Sequence, residues 1–242
     1  MFYDAVKNDH GFAVDPFKAI VAPRPIGWVS TLSPEGVANL APYSYFNAFS
    51  QSPHYVAFGS GAGKDSMRNI ESTGEFTVNL ATFALREQMN ASSAHVTADE
   101  FELAGLTKAP SQMVRPPRVA ESPAALECCL HRIVSLPDDD GLVENFMIIG
   151  RVLGIHIDDR FIQEGRVDTA AMQPIARLGY SEYATVTEAW RMRRPDYPAA
   201  TQSRRRPSGG MTAAFPPSWK TLFTSRVIHC GSTVYNLWKS CG

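Results

Sequence analysis

LECCLHRIVSLPDDDGLVENFMIIGRVLGIHID, residues 126–158, decides the fold. Residues 126–136 and 144–158 are rich in β-branched and apolar side chains, and the second run is the longest strand candidate in the chain. Between them PDDDG, 137–141, carries the residues that tight connections favour. Two strand-like runs around so short a link predict an antiparallel hairpin. Gly150 and Gly154, inside the longer run, predict bulges or the bends of a closing barrel. Cys128 and Cys129 sit within the first run; with Cys230 and Cys241 they form no C-x-x-C pair and no zinc-finger spacing. They read as free thiols of a reducing compartment, which makes the cytoplasm the expected location.

Toward the N-terminus the same pattern repeats. FTVNLA, 76–81, alternates with a period of two, and HYVAFGS, 54–60, is another short strand. An extended segment over 20–31 contains Pro23 and Pro25, which suit an entry or an edge. SPEG, 33–36, is a turn, followed by a second extended run over 37–49. Helices are few. Residues 64–76 predict one, capped by Asp65 or Ser66, with Met67 and Ile70 on one face and Gly74 at its end. Residues 84–93 predict another, and Thr97 with Glu100 spells a capping box before EFELAGL. Residues 108–123, with Pro110, Pro116, Pro117 and Pro123, read as a long loop. Strands outnumber helices and come in short consecutive pairs. The expected class is mainly β with a few helices, a closed antiparallel barrel with covering helices rather than a β-α-β alternation.

Composition narrows the partners. The 242 residues are 44% hydrophobic and 19% charged, with a net charge of −1, enough for one core or one domain plus an appendage. Such a balance argues against nucleic acid or an anionic membrane as the main partner. No apolar run is long enough to span a bilayer, and MFYDAVKNDHGF lacks the pattern of a signal peptide. From Pro198 the chain turns small, polar and basic, through PAATQSRRRPSGG. Residues 1–197 are therefore expected to form the domain, and 198–242 a poorly ordered extension with Arg204–Arg206 in a solvated linker.

Three stretches can carry chemistry. There is no G-x-G-x-x-G, P-loop, H-E-x-x-H or G-x-S-x-G pattern, and the six histidines are scattered at no metal-ligand spacing. Lys64-Asp65-Ser66 opens a helix behind Gly61 and Gly63, so backbone donors, a hydroxyl and a cation converge as in an anion cradle; a capped surface helix has the same sequence. Ser30-Thr31 places two hydroxyls at a strand end. NLAPYSYFNAFSQSP, 39–53, puts Tyr43, Tyr45 and Phe49 on one side, Ser44 and Phe46 on the other, and Asn47 next. A flat heteroaromatic ring needs apolar faces and a few edge donors, which Ser44 and Asn47 supply; a strand with aromatic core residues is the plainer alternative.

Taken in order, RPIGWVST, the Gly-containing turn, NLAPYSYFNAFSQSP, GKDSMRNIESTGEFTVNL, GRVLGIHIDDRFI at 150–162 and PIARLGYSEYATV at 174–186 resemble the flavin reductase-like, FMN-binding split-barrel family. The resemblance covers residues 10–197. It implies a Greek-key split barrel, a homodimer with flavin near the subunit contact, and FMN or FAD as cofactor. It assigns Ser30, Thr31, Lys64, Asp65 and Ser66 to the phosphate side, and Ser44, Tyr45 and Asn47 to the ring and ribityl chain. Arg177 and Tyr183 fall in the segment that the family places near the active site. His156 lies in a barrel strand, where a core role is expected ahead of a nicotinamide-side one. The implied activity is hydride acceptance from NADH or NADPH, docking transiently, with electrons passed to oxygen, an acceptor protein or a monooxygenase. No catalytic side chain and no metal are implied. A flavoredoxin-like carrier without nicotinamide activity and a non-redox binding barrel are the rival readings. Tyr180 departs from the pattern, standing where relatives often carry glycine.

Overall fold

In a computed structural model of the chain, residues 1–94 and 99–195 are described; the expected extension over 198–242, with Cys230 and Cys241, and Thr97 of the capping box lie outside them. Seven antiparallel strands form the main sheet: β1 (Gly27–Leu32), β2 (Ala38–Tyr43), β3 (Phe46–Gln51), β4 (His54–Gly61), β5 (Glu75–Leu80), β6 (Ala124–Pro137) and β7 (Val143–Ile157). Their order is β2-β1-β5-β6-β7-β4-β3. The two end strands, β2 and β3, are consecutive in the chain and joined by Ser44 and Tyr45 alone. That link curls the sheet on itself, so the barrel closes covalently at a seam where no ladder of hydrogen bonds runs. β1–β2 and β3–β4 are hairpins and β5–β7 is a meander between them, and the crossover from β4 to β5 makes the Greek key of a split barrel.

The hairpin of residues 126–158 is β6 and β7, paired over its full length. Their register shifts at Ile149/Gly150 and Val152/Gly154, where the two glycines predicted bulges. Gly150 has a packing reason as well. A Cβ there would sit 2.2 Å from the Phe76 ring. The PDDDG link is held by Asp138, whose carboxylate accepts from the amides of Asp140 and Leu142 at 3.0 and 2.8 Å.

Alternation sorts side chains into two cores. Val29, Val56, Phe58, Phe76, Val78 and Ile148 fill the barrel, closed by Ile70 from helix α1 (Asp65–Thr73). Trp28, Leu40, Met89, Phe101, Leu106 and Val119 pack outside it, under α2 (Arg86–Ala91), the turn at Glu100–Leu103 and the 108–119 segment. Strand β1 is thus buried on both faces, with Trp28 outside and Val29 inside. Burial of such a side chain contributes about 1.5–3 kcal/mol. Asn79 ties the outer layer to the wall by donating to the Trp28 carbonyl at 3.1 Å and accepting from the Val119 amide at 2.9 Å.

Several expectations need correction. The run over 37–49 is not one strand. The Ser44–Tyr45 turn breaks its alternation, so Tyr43 and Phe46 turn toward the barrel core while Tyr45 and Phe49 face out. Ile20 belongs to a helical turn, Phe17–Ile20, rather than an extended entry. Neither Asp65 nor Ser66 caps α1; Lys64 holds the N-cap position and no side chain caps it, while Gly74 ends the helix at φ +74° as expected. The Glu100 helix is capped by Asp99, which accepts from the Phe101 amide at 3.0 Å. Glu100 reaches instead to the Leu40 amide at 3.1 Å, because burial against β2 offers it a donor there. The 108–123 loop carries a two-residue ladder, Lys108–Ala109 with Arg118–Val119.

Candidate functional site

Two hollows open beside the seam. The larger, of about 1000 Å³, lies between the N-terminal turn, the β2–β3 link, β4 and the β6–β7 hairpin. Its walls include Phe17, Tyr45, Phe46, Phe49, Phe58 and Phe146, with Ser44, Asn47, Ser60 and Asn145 as polar points. The β2–β3 link is fixed by the Gly59 amide, which donates to the Tyr45 carbonyl at 2.8 Å. Gly59 also makes room for that link, since a Cβ there would lie 3.2 Å from the Tyr45 Cβ.

The smaller hollow, of about 350 Å³, is polar and lies at the start of α1, lined by Lys64, Asp65, Ser66, Asn39, Tyr43 and Glu100 among others. Gly63, at φ +72°, turns the chain into the helix, and a Cβ there would meet nothing within 4 Å. With no side-chain cap, the first amides of α1 keep their donor capacity at the positive end of the helix dipole. Asp65 pairs with Arg68, whose guanidinium also donates to the Gly63 carbonyl. Burial pushes the Glu100 carboxyl above its ordinary value, against the hydrogen bond from the Leu40 amide.

Tyr43 stands between the hollows. Burial raises its phenol above the ordinary value, while hydrogen bonding to Ser66 and Ser60 pulls the other way. Ser66 lines the small hollow and Ser60 the large one, so a line of hydroxyls crosses from one to the other.

Ser44, Tyr45 and Asn47 therefore share the large hollow, and Lys64, Asp65 and Ser66 share the small one. Ser30 and Thr31 are both fully buried and line neither. Ser30 faces the outer core with Trp28, and its hydroxyl has no hydrogen-bond partner. Thr31 faces α1, where its hydroxyl accepts from Asn39 and Asn69 at 3.3 and 3.0 Å. Asn39 donates also to Ser66 at 2.9 Å, so β1 and the start of α1 are in one network. Arg177 and Tyr183 line neither hollow. Arg177 donates to the Tyr183 hydroxyl and to the Tyr180 carbonyl at 2.6 Å, and its guanidinium lies 4.5 Å from the Tyr183 ring centroid. His156 hydrogen-bonds Glu127 behind the barrel wall, and the Glu127 carboxylate accepts from the Gln112 and Met113 amides, which pins the 108–119 segment.

Sequence reasoning missed Asn39, Tyr43 as a bridge, and Ser60. Asn39 had a local signal, an amide at alternation distance from inward Thr31 on the neighbouring strand. The others became visible only when the seam brought β2 and β4 together. Among the described residues no cluster of three or more His, Cys, Asp or Glu gathers as for a metal, and no helix is long and apolar enough to cross a membrane.

An aromatic cleft thus lies beside an uncapped helix start at the seam of a split barrel. The chain belongs to the flavin reductase like domain family, which matches residues 21–171. It is 35% identical over 182 residues to a protein of Halalkalibacterium halodurans, covering 72% of this chain and 87% of that one. Among solved structures it is similar to nitrilotriacetate monooxygenase component B from Bacillus cereus, with a TM-score of 0.73 and 28% identity over 79% of this chain and 99% of that one. It is also similar to the Pseudomonas fluorescens 2-nitrobenzoate 2-nitroreductase NbaA, with a TM-score of 0.68 and 30% identity over 76% and 91% of the two chains.

Proposed function

We propose that the chain binds FMN across the two hollows and works as a flavin-dependent oxidoreductase that takes hydride from NADH or NADPH. The observation that carries this reading is the division of the site by Tyr43: an aromatic cleft on one side and an uncapped helix start with Lys64 on the other. A cleft of this size and lining suits a tricyclic ring, and the polar hollow suits its phosphate. The cofactor supplies the hydride and electron chemistry. The chain's own residues bind and orient. Tyr45 and Phe46 provide faces for the ring, Ser44 and Asn47 address its polar edge, and Lys64 with the amides of Asp65 and Ser66 holds the phosphate. Thr31 acts at one remove, through Asn39, by fixing Ser66; Ser30 acts by packing in the wall. Arg177 and Tyr183 brace the segment that flanks the N-terminal turn.

Electrons leave to an oxygen-using partner protein or a small acceptor, in keeping with the monooxygenase component and the nitroreductase that the chain resembles. A second copy of the chain covers exposed apolar residues such as Phe49, Ile155 and Ile157, giving the homodimer that the family resemblance implies. The test is direct. Purified protein titrated with FMN should quench the flavin fluorescence at a one-to-one ratio, and the loaded protein should oxidise NADH or NADPH. No quenching at micromolar protein would remove the proposal. Stoichiometric FMN without nicotinamide oxidation would leave an electron carrier.

A further inference from the structure

The small hollow combines groups that do not all suit an anion. Its described lining residues include one cation, Lys64, and two carboxylates, Asp65 and Glu100. Arg68 answers Asp65 by pairing with it. Glu100 has no such answer. It is 6% exposed, and among the described residues it forms no ion pair. Its turn packs against β2, where its Oε2 accepts from the Leu40 amide at 3.1 Å. Left ionised, Glu100 would cancel Lys64 and set a buried negative charge against any phosphate arriving at the start of α1.

A carboxylate and a phosphate dianion are both acceptors, with no hydrogen to offer each other. Sharing a hollow of about 350 Å³ therefore calls for a proton between them. Once protonated, the carboxyl becomes a donor and the charge of Lys64 is no longer cancelled. The surroundings of Glu100 favour that state. Burial pushes its carboxyl up, and the charges of Asp65 and Asp99 act in the same direction, while the amides of Leu40 and of Glu100 itself pull it down. The titratable groups that face it are Tyr43 from β2, Lys64 and Asp65 from the start of α1, and Asp99 from its own turn. Arg68 pairs with Asp65 and Lys108 with Asp99. Ser92 and Ser93, just beyond α2, bring hydroxyls alone.

We infer that the small hollow takes a phosphate ester together with one proton from solvent, held between Glu100 and a phosphate oxygen. The inference rests on the flavin reading for its ligand and adds a condition to it: Glu100 makes FMN capture tighter toward neutral pH and looser in alkali. Affinity falls by up to about tenfold per pH unit between the point where the free protein loses this proton and the higher point where the complex does.

Calorimetric titrations of FMN and riboflavin, each in two buffers of different ionisation enthalpy, test it. At pH 7 the phosphate of FMN is already mostly a dianion, its second ionisation lying near about 6. FMN binding there should take up close to about one proton, seen as a buffer-dependent enthalpy, and riboflavin binding should take up none. FMN affinity should fall about tenfold from pH 7 to pH 9, with riboflavin affinity unchanged. Glu100→Gln keeps an acceptor for the Leu40 amide and offers its own N–H to the phosphate. That variant should bind FMN about tenfold more tightly than wild type at pH 9, with equal enthalpies in both buffers. FMN binding by the wild-type protein with no proton uptake and no fall in affinity overturns the inference and leaves the flavin reading standing; this comparison needs no variant to fold. Proton uptake that persists in folded Glu100→Gln overturns it too, as does the same uptake with riboflavin. Failure of both flavins to bind removes the flavin reading, and this inference with it.

Discussion

Asn39 on β2 donates to Ser66 on α1 at 2.9 Å and to Thr31 on β1 at 3.3 Å, so one buried amide fastens the helix start to the barrel wall. Asn39→Ala takes from the Ser66 hydroxyl its amide donor and from the Thr31 hydroxyl one of two, the other being Asn69. Unfolding in urea should show a loss of about 1–3 kcal/mol. A midpoint unchanged from wild type would mean that α1 is held by Ile70 packing alone.

Lys64→Ala removes the cation at the small hollow and leaves the aromatic cleft untouched. FMN affinity should fall by up to about tenfold, and riboflavin affinity should barely change. Parallel fluorescence titrations of the two ligands read this out. Equal losses for both would place the phosphate elsewhere.

Glu127 supplies a pH dependence. Burial pushes its carboxyl up, but the amides of Gln112 and Met113 together with His156 outweigh that and hold it below its ordinary value of 4.5. A carboxylate depressed in the folded state contributes stability that is complete above 4.5 and lost as pH falls through the folded value. Urea midpoints measured from pH 7 to pH 3 should therefore decline at the acid end. Glu127→Gln should lower stability at pH 7 and flatten that decline.

Tyr180 sits at φ +55°, a left-handed conformation that costs a side-chain-bearing residue about 1–2 kcal/mol. Tyr180→Gly relieves the strain, and the greater freedom of glycine in the unfolded chain takes back part of the gain. The melting temperature should rise by about 2 °C, whereas Tyr180→Ala should give no rise. Gains of equal size from both would assign the effect to the exposed ring.

Gly150→Ala drives a methyl into the Phe76 ring at the centre of the barrel. Overpacking of this kind costs about 1–3 kcal/mol. Chemical denaturation should show it, and Phe76→Leu in the same chain should recover part of the loss.

The strands were legible in the sequence because each carries its own alternation and ends in its own turn chemistry. The hairpin of residues 126–158 and the glycine bulges within it were read correctly for that reason. The break at Ser44–Tyr45 was not legible. The turn itself holds neither glycine nor proline, Pro42 before it lies inside β2, and its cause is the meeting of β2 and β3, which are far apart in the hydrogen-bonded order of the sheet. The same holds for the site. Lys64, Asp65 and Ser66 are neighbours in the chain and stayed neighbours in space. Ser30 and Thr31 looked like free hydroxyls at a strand end, yet β1 is covered on both faces, a fact set by the second core and not by residues 27–32 themselves.

The missing ladder between β2 and β3 has a mechanical meaning. Elsewhere around the wall, widening the circumference would rupture paired amides and carbonyls. At this one joint a single bond, from the Gly59 amide to the Tyr45 carbonyl, stands in for a ladder, so the hoop can spread or tighten there for one rupture instead of a row of them. Compliance is thus concentrated where guests of unequal thickness would enter, and the rest of the shell stays stiff.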